Sequence, residues 1–142
     1  MKFFQNILLV SFLLFISVSS MRAQYVYIPD SAFRSFLLTD GFQPAFNGDS
    51  LDTTSMLVAN RDSLNCSGYG IQSLEGIQYF DNLIFLDCSV NYLTSLPTLP
   101  QALLILNCEK NLLTSSIILP ANLLELIADI IHSLISRISL PL

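Results

Sequence analysis

Residues 83–120 read LIFLDCSVNYLTSLPTLPQALLILNCEKNLLTSSIILP, and the phrase is stated twice. Leu83, Leu86, Cys88, Asn91, Leu93, Thr94, Leu99 and Pro100 recur at a spacing of 20 as Leu103, Leu106, Cys108, Asn111, Leu113, Thr114, Leu119 and Pro120. Aligning on cysteine carries the phrase backwards, with Leu64, Cys66, Ile71 and Leu74 standing 22 residues before Leu86, Cys88, Leu93 and Leu96. This first copy is divergent, as terminal copies of a repeat usually are: Tyr69, between Gly68 and Gly70, takes the place of Asn91 and Asn111.

The phrase carries its own local structure. Leu86 and Cys88 lie two positions apart, as do Leu106 and Cys108, so in a strand both side chains of each pair point to the same, inner face. A chain that returns to this point every 20 to 22 residues can stack its short strands into a parallel sheet. Asn91 and Asn111 fall where the chain leaves the strand. A side-chain amide has donors and an acceptor, so a column of them can satisfy the backbone groups exposed at each turn. Pro97, Pro100 and Pro120 hold the returning side extended, because proline fixes its own φ and biases its predecessor away from helix.

The pattern L-x-x-L-x-C-x-x-N-x-L-T resembles the leucine-rich repeat, and the wording LPTLPQALLILNCEKNLLT is similar to the short bacterial class found in secreted and surface proteins. The resemblance covers about Leu64 to Leu126. It implies an α/β repeat solenoid, with short parallel strands on a concave face, an extended convex side and a short helical N-terminal cap. The stretch YIPDSAFRSFLL fits such a cap. Asp30 or Ser31 can cap a helix on which Phe33, Phe36 and Leu37 share one face, and its IPD-x-x-F start is similar to the family's N-terminal caps. The turn-rich residues around Asp40-Gly41 and Asn47-Gly48-Asp49 then read as loop and partial strand completing the cap.

Upstream, the opening MKFFQNILLVSFLLFISVSSMRAQ has one early cation, an apolar run from Ile7 to Val18 and small residues before Ala23. That is the layout of a secretory signal peptide, and the apolar run is short for a membrane span. The organisation expected is therefore a signal peptide over 1–23, a cap region over 24–62, repeats over 63–126 and an aberrant tail over 127–142. Cleavage after Ala23 leaves four basic side chains against eleven acidic ones, a net charge of −7. Such a balance lacks the basic footprint that nucleic acid or anionic lipid requires. Cys66, Cys88 and Cys108 enter an oxidising compartment on this reading, where disulfides are the first expectation. Their matching repeat positions favour instead three buried thiols filling one slot of the core.

A third statement of the phrase begins with Leu123, Leu124 and Leu126 and then breaks. Cysteine, asparagine and leucine are due at 128, 131 and 133, but the chain has Ala128, Ile131 and Ser133. The genetic code supplies one explanation. Read from the third base of the Ile127 codon, codons permitted by residues 127–140 spell C-x-Y-N-S-L-T-x-L-P-x-L-P, to be compared with CSVNYLTSLPTLP from Cys88 to Pro100. The Ile130-Ile131 junction can encode only Asn, Tyr or His. On that reading the tail is an out-of-frame translation of a longer repeat gene. The alternative keeps the tail as an amphipathic helix, because Leu123, Ile127, Ile130, Leu134 and Ile138 fall at helical spacing.

Chemistry is hard to find in this chain. It shows no nucleophile motif, no Gly-rich phosphate loop and no metal-spaced cluster, and its one histidine, His132, lies in the tail. The expectation is a non-enzymatic protein without cofactor, metal, nucleic-acid partner or stable membrane span once the signal is removed. The resemblance implies binding of a protein or glycan through the concave face. There the outward residues would be Phe85, Asp87, Ile105, Asn107 and Glu109, an apolar strip with an acidic edge suited to a partner carrying basic side chains. Leu86, Cys88, Asn91, Leu106, Cys108 and Asn111 would be structural. The address would be secreted or cell-surface. A structural role in cell-surface assembly, and a non-functional fragment of a longer repeat protein, are the alternatives.

Overall fold

The computed structural model describes residues 23–114 and 117–129. The expected signal peptide falls almost wholly outside these residues, as does most of the expected tail. In chain order the elements are strand β1 (Tyr25–Tyr27), helix α1 (Ser31–Leu37), strands β2 (Phe46–Asn47) and β3 (Ser50–Asp52), helix α2 (Met56–Ala59), and strands β4 (Ser63–Asn65), β5 (Phe85–Asp87), β6 (Ile105–Asn107) and β7 (Glu125–Ile127).

The first part of the chain builds an antiparallel sheet in the order β1-β3-β2. Val26 and Phe46 both pair with Leu51, which is fully buried. Asp30 caps α1, accepting from the Phe33 N–H at 2.8 Å, and Phe33, Phe36 and Leu37 fill the helix's inner face. Arg34 turns back to donate to the Ile28 and Pro29 carbonyls and pairs with Asp49 at 3.3 Å. Where loop and partial strand were expected the structure forms β2 and β3 and adds α2, capped by the Ser55 hydroxyl, which accepts from the Leu57 N–H at 3.3 Å.

The second part is a parallel sheet in the order β4-β5-β6-β7. Leu64, Leu86, Leu106 and Leu126 stand in one register across it. Cys66, Cys88 and Cys108 lie beside the first three of these leucines, buried and free of disulfides. Burial of an apolar side chain of this size contributes on the order of 1.5–3 kcal/mol, so a repeated Leu-x-Cys strand anchors each copy. The long connections between strands carry no α-helix; one short helical turn spans Ile77–Tyr79.

Two asparagines tie the copies together. Asn91 is buried, and its Oδ1 accepts from the Ile71 N–H at 2.9 Å. Its Nδ2 donates to the carbonyls of Cys66, Cys88 and Ser89 at 2.9, 3.0 and 3.1 Å. Asn111 repeats the set one copy later: it accepts from Leu93 N–H at 3.0 Å and donates to Cys88, Cys108 and Glu109 carbonyls. The residue two places after each cysteine takes a positive φ: Gly68 at 78°, Val90 at 56° and Lys110 at 55°.

The expected α/β repeat solenoid is corrected by this architecture. The chain is a small α/β domain that joins a three-stranded antiparallel sheet, a four-stranded parallel sheet and two short helices. In a solenoid each unit touches only its sequence neighbours. Here Ile28, Phe33 and Phe42 belong to the same apolar cluster as Leu86, Leu106 and Leu119. Asp30 Oδ2 also accepts from the Gln72 and Ser73 N–H groups at 2.9 and 3.0 Å, fastening the helix start to the first interstrand connection. Gly76 lies against the same junction at φ 111°, and a Cβ there would come within 2.3 Å of Ile28 Cδ1. The antiparallel unit is thus one wall of a shared core. The alternative of a helical tail starting at Leu123 is also corrected as far as Asp129, since Glu125–Ile127 pair with Ile105–Asn107 as a parallel strand. A strand here leaves β6 no open edge, whereas a helix would strand its backbone donors and acceptors.

Candidate binding face

In each parallel strand the central leucine points into the core, and the residues beside it point away. This places two rows on the outer side of the sheet. One runs Ser63, Phe85, Ile105 and Glu125, and the other Asn65, Asp87, Asn107 and Ile127. Phe85 and Ile105 are therefore side by side and half-buried, while Glu125 and Ile127 are exposed. The β4 end of the sheet's outer side is polar, at Ser63 and Asn65.

Beyond the strands a third set follows, with Ser67, Ser89, Glu109 and Asp129 two residues past the second row. The Ser67 and Ser89 hydroxyls share a hydrogen bond of 2.9 Å. The second row is locked in place by its own chain. Asn65, Asp87 and Asn107 each turn a side-chain oxygen back to accept from the N–H two residues on, at 3.1, 3.0 and 3.2 Å. These Asx turns close each strand and fix the direction in which Asp87 and Asn107 point.

Electrostatically the face is one-sided. Asp87, Glu109, Glu125 and Asp129 lie on it or at its end, whereas among the described residues Arg34 and Arg61 are paired away from it with Asp49 and Asp40. Arg61 also lies over the Phe42 ring at 4.6 Å. Lys110 sits at the turn beyond the strands, its N–H bonded to the Asp129 carboxylate.

Beneath the face the thiols are chemically quiet. Burial raises the Cys66 thiol to about 12, helped by the Asp87 charge, and raises Cys108 to about 11, helped by Asp129. Burial also raises Cys88, whose Sγ lies 3.3 Å from the Asn107 carbonyl oxygen. Neutral thiols at physiological pH are poor nucleophiles and poor metal ligands. Among the described residues no group of three or more His, Cys, Asp or Glu side chains could hold a metal ion. Among them also, no helix is long and apolar enough to cross a membrane.

The structure thus brings Phe85, Ile105, Asp87 and Asn107 together, with Glu109 two residues past the end of β6. Sequence reasoning stopped the face at Glu109 and missed Glu125, Ile127 and Asp129, because it placed the loss of register at residue 127. The intact Leu123-Leu124-x-Leu126 was the signal for a fourth strand. It missed also the exposed group Val90, Tyr92 and Leu112, which with Gly68, Gly70 and Lys110 lines an open cleft of about 380 Å³ at the strand ends. Equal repeat offset, four places past each cysteine, places Gly70, Tyr92 and Leu112 in one row.

No protein-family model, curated protein or solved structure matches this chain.

Proposed function

We propose that this chain is an exported, non-enzymatic binding module that recognises a protein or glycan partner through the outer side of its parallel sheet. The observation that carries the reading is the adjacency of Phe85 and Ile105 in register, half-exposed at the centre of a face bordered by Asp87, Glu109, Glu125 and Asp129. A central apolar contact with a charged rim is the anatomy of a protein-recognition patch. The uncompensated acid favours a partner surface carrying lysine or arginine. The resemblance of the repeated phrase to secreted bacterial leucine-rich-repeat proteins supports the same reading, and the layout of residues 1–23 supports export.

The test is binding to arrays of basic peptides, exported proteins and glycans by the intact protein and two variants. Phe85→Ser with Ile105→Ser removes the apolar centre, and Asp87→Asn with Glu109→Gln removes charge from the rim. Both are expected to lose binding, the second mainly through a slower association rate and a weaker salt dependence. A partner that binds the first variant as tightly as the parent, with the fold intact by circular dichroism, would refute the site.

A further inference from the structure

We infer that Asn47 is a site of spontaneous deamidation, its side-chain amide lost to attack by the Gly48 backbone nitrogen, and that the fold selects it over every other described asparagine. Asn47 is the only asparagine of the chain followed by glycine. Ring closure brings the next residue hard against the asparagine side chain, and a residue without Cβ crowds that approach least. Asn47 and Gly48 are both exposed. Gly48 stands at φ 59°, and a Cβ built on it would meet nothing within 4 Å. It is the first of the two residues that turn β2 into β3, since Asn47 pairs with Ser50.

Sequence makes Asn47 a candidate, and the hydrogen bonds decide between it and the rest. The nucleophile in this reaction is the peptide nitrogen that follows asparagine, and an N–H held by a carbonyl must be released before it can attack. After Asn65 and Asn107, the Cys66 and Cys108 N–H groups donate to the Asp87 and Ile127 carbonyls, both at 2.8 Å. After Asn91 and Asn111, the Tyr92 and Leu112 N–H groups donate to Ile71 and Leu93 at 2.8 and 2.9 Å. After Asn60, Asn82 and Asn122, the Arg61, Leu83 and Leu123 N–H groups donate to the Val58, Phe80 and Pro120 carbonyls at 3.3, 2.9 and 3.1 Å. The Gly48 N–H alone donates to no carbonyl among the described residues. Asn47 must also leave its strand conformation for the ring to close. Strand β2 is two residues long and lies at the edge of its sheet, so this turn opens without the rest of the sheet.

The reaction needs water and no cofactor. Water or hydroxide takes the Gly48 amide proton, the nitrogen's electron pair forms a bond to Asn47 Cγ, and the side-chain nitrogen gains a proton and leaves as ammonia. The product is a five-membered succinimide. Water then adds to one of its two carbonyls and opens the ring, giving an aspartyl or an isoaspartyl residue at position 47, with nothing oxidised or reduced. Either product adds a negative charge beside Asp49. The isoaspartyl form also lengthens the main chain by one carbon, in a turn whose length sets Asn47 opposite Ser50. That turn carries a brace: the Asp49 carbonyl accepts from the Ile28 N–H at 3.1 Å, and its carboxylate pairs with Arg34 at 3.3 Å. The modification therefore loosens the hold of the hairpin on the start of α1. This inference does not depend on the binding reading above, because the hairpin belongs to the antiparallel sheet.

The test incubates the purified full-length chain, native and in urea, at neutral and mildly alkaline pH. Its peptides are followed by mass spectrometry that separates aspartyl from isoaspartyl forms. In the native chain position 47 is expected to convert at least about tenfold faster than any other described asparagine, because each competitor must first open a native hydrogen bond. The rate should rise with pH, since the nucleophile must lose its proton. In urea the other asparagines are released from those bonds and are expected to close part of the gap. An Asn47 that stays intact in the native chain while converting in urea overturns the inference, as does another asparagine that converts as fast in the native chain. A gap left unchanged by urea overturns the part assigned to the hydrogen bonds. The isoaspartyl fraction is then compared with the unconverted chain by hydrogen exchange. Its Ile28 amide is expected to exchange several-fold faster, and equal exchange overturns the loosening of the brace.

Discussion

Replacing Asn91 by alanine tests the physical account of how the copies are joined. Asn91 is 4% exposed and makes four hydrogen bonds, one accepted from Ile71 N–H and three donated to the carbonyls of Cys66, Cys88 and Ser89. Leaving a buried N–H without a partner costs about 1–3 kcal/mol, and each lost net hydrogen bond about 0.5–1.5 kcal/mol. The carbonyls retain other uses of their lone pairs, so the lower figure applies to them. The sum is a loss of about 3–4 kcal/mol, a large fraction of the ~5–15 kcal/mol by which a domain is ordinarily stable. Asn111→Ala removes an equivalent set from a half-exposed site, where water replaces part of it, and should cost about half as much. Asn65→Ala, at an exposed position with one Asx bond, is the control and should cost about 0.5 kcal/mol or less. Equilibrium urea unfolding of the three variants, followed by circular dichroism with a common m-value, measures the series. A cost for Asn91→Ala within about 1 kcal/mol of the Asn65→Ala control would refute the ladder as a stabilising device.

Four further outcomes follow from other parts of the structure. Because burial raises Cys66 to about 12 and Cys108 to about 11, the unfolded thiols ionise first as pH rises past their ordinary value of 9.0. Stability is therefore fully present below about pH 9 and declines above it, which urea midpoints from pH 7 to 10.5 would show. The same thiols should resist a disulfide reagent in the native protein and react fully once it is unfolded. Val90 holds φ 56° with its side chain 51% exposed, so Val90→Gly should relieve strain at little packing cost. Strain of ~1–3 kcal/mol set against about 0.5–1 kcal/mol of glycine entropy predicts a net gain near 1 kcal/mol, visible as a higher urea midpoint. Asp30→Ala removes both the cap of α1 and the clamp on Gln72 and Ser73, and should cost about 2–3 kcal/mol, compared with about 1 for a cap alone. A loss no larger than an ordinary cap would show that the clamp contributes nothing.

Several elements were legible in the chain because their signals are local. The cap of α1 depends on Asp30 three residues before Phe33, and the buried face of that helix on Phe33, Phe36 and Leu37, all within one and a half turns. The pairing of β5 with β6 is legible because leucine, cysteine and asparagine recurring 20 residues apart put Leu86 beside Leu106 without any other information. The outer face was legible for the same reason, since alternate residues of a strand face opposite ways. What was not legible depends on contacts distant in sequence. Asp30 bonds to residues 42 and 43 places away, and the packing of Ile28 on Gly76 closes the antiparallel unit against the parallel one. The short helix α2, four residues long, has too few positions to show a period.

By itself, then, the sequence determined the strand register, the inward cysteines and the placing of asparagines at the turns, because periodic residues set periodic neighbours. Only the tertiary structure decided that these strands share one core with an antiparallel sheet. It also decided that β7 forms from residues on both sides of the point where the repeated phrase fails. The physical reason is that a parallel strand needs little more than an inward leucine and a partner's backbone: Leu126 and the β6 ladder supply both, whatever the residues that come after them.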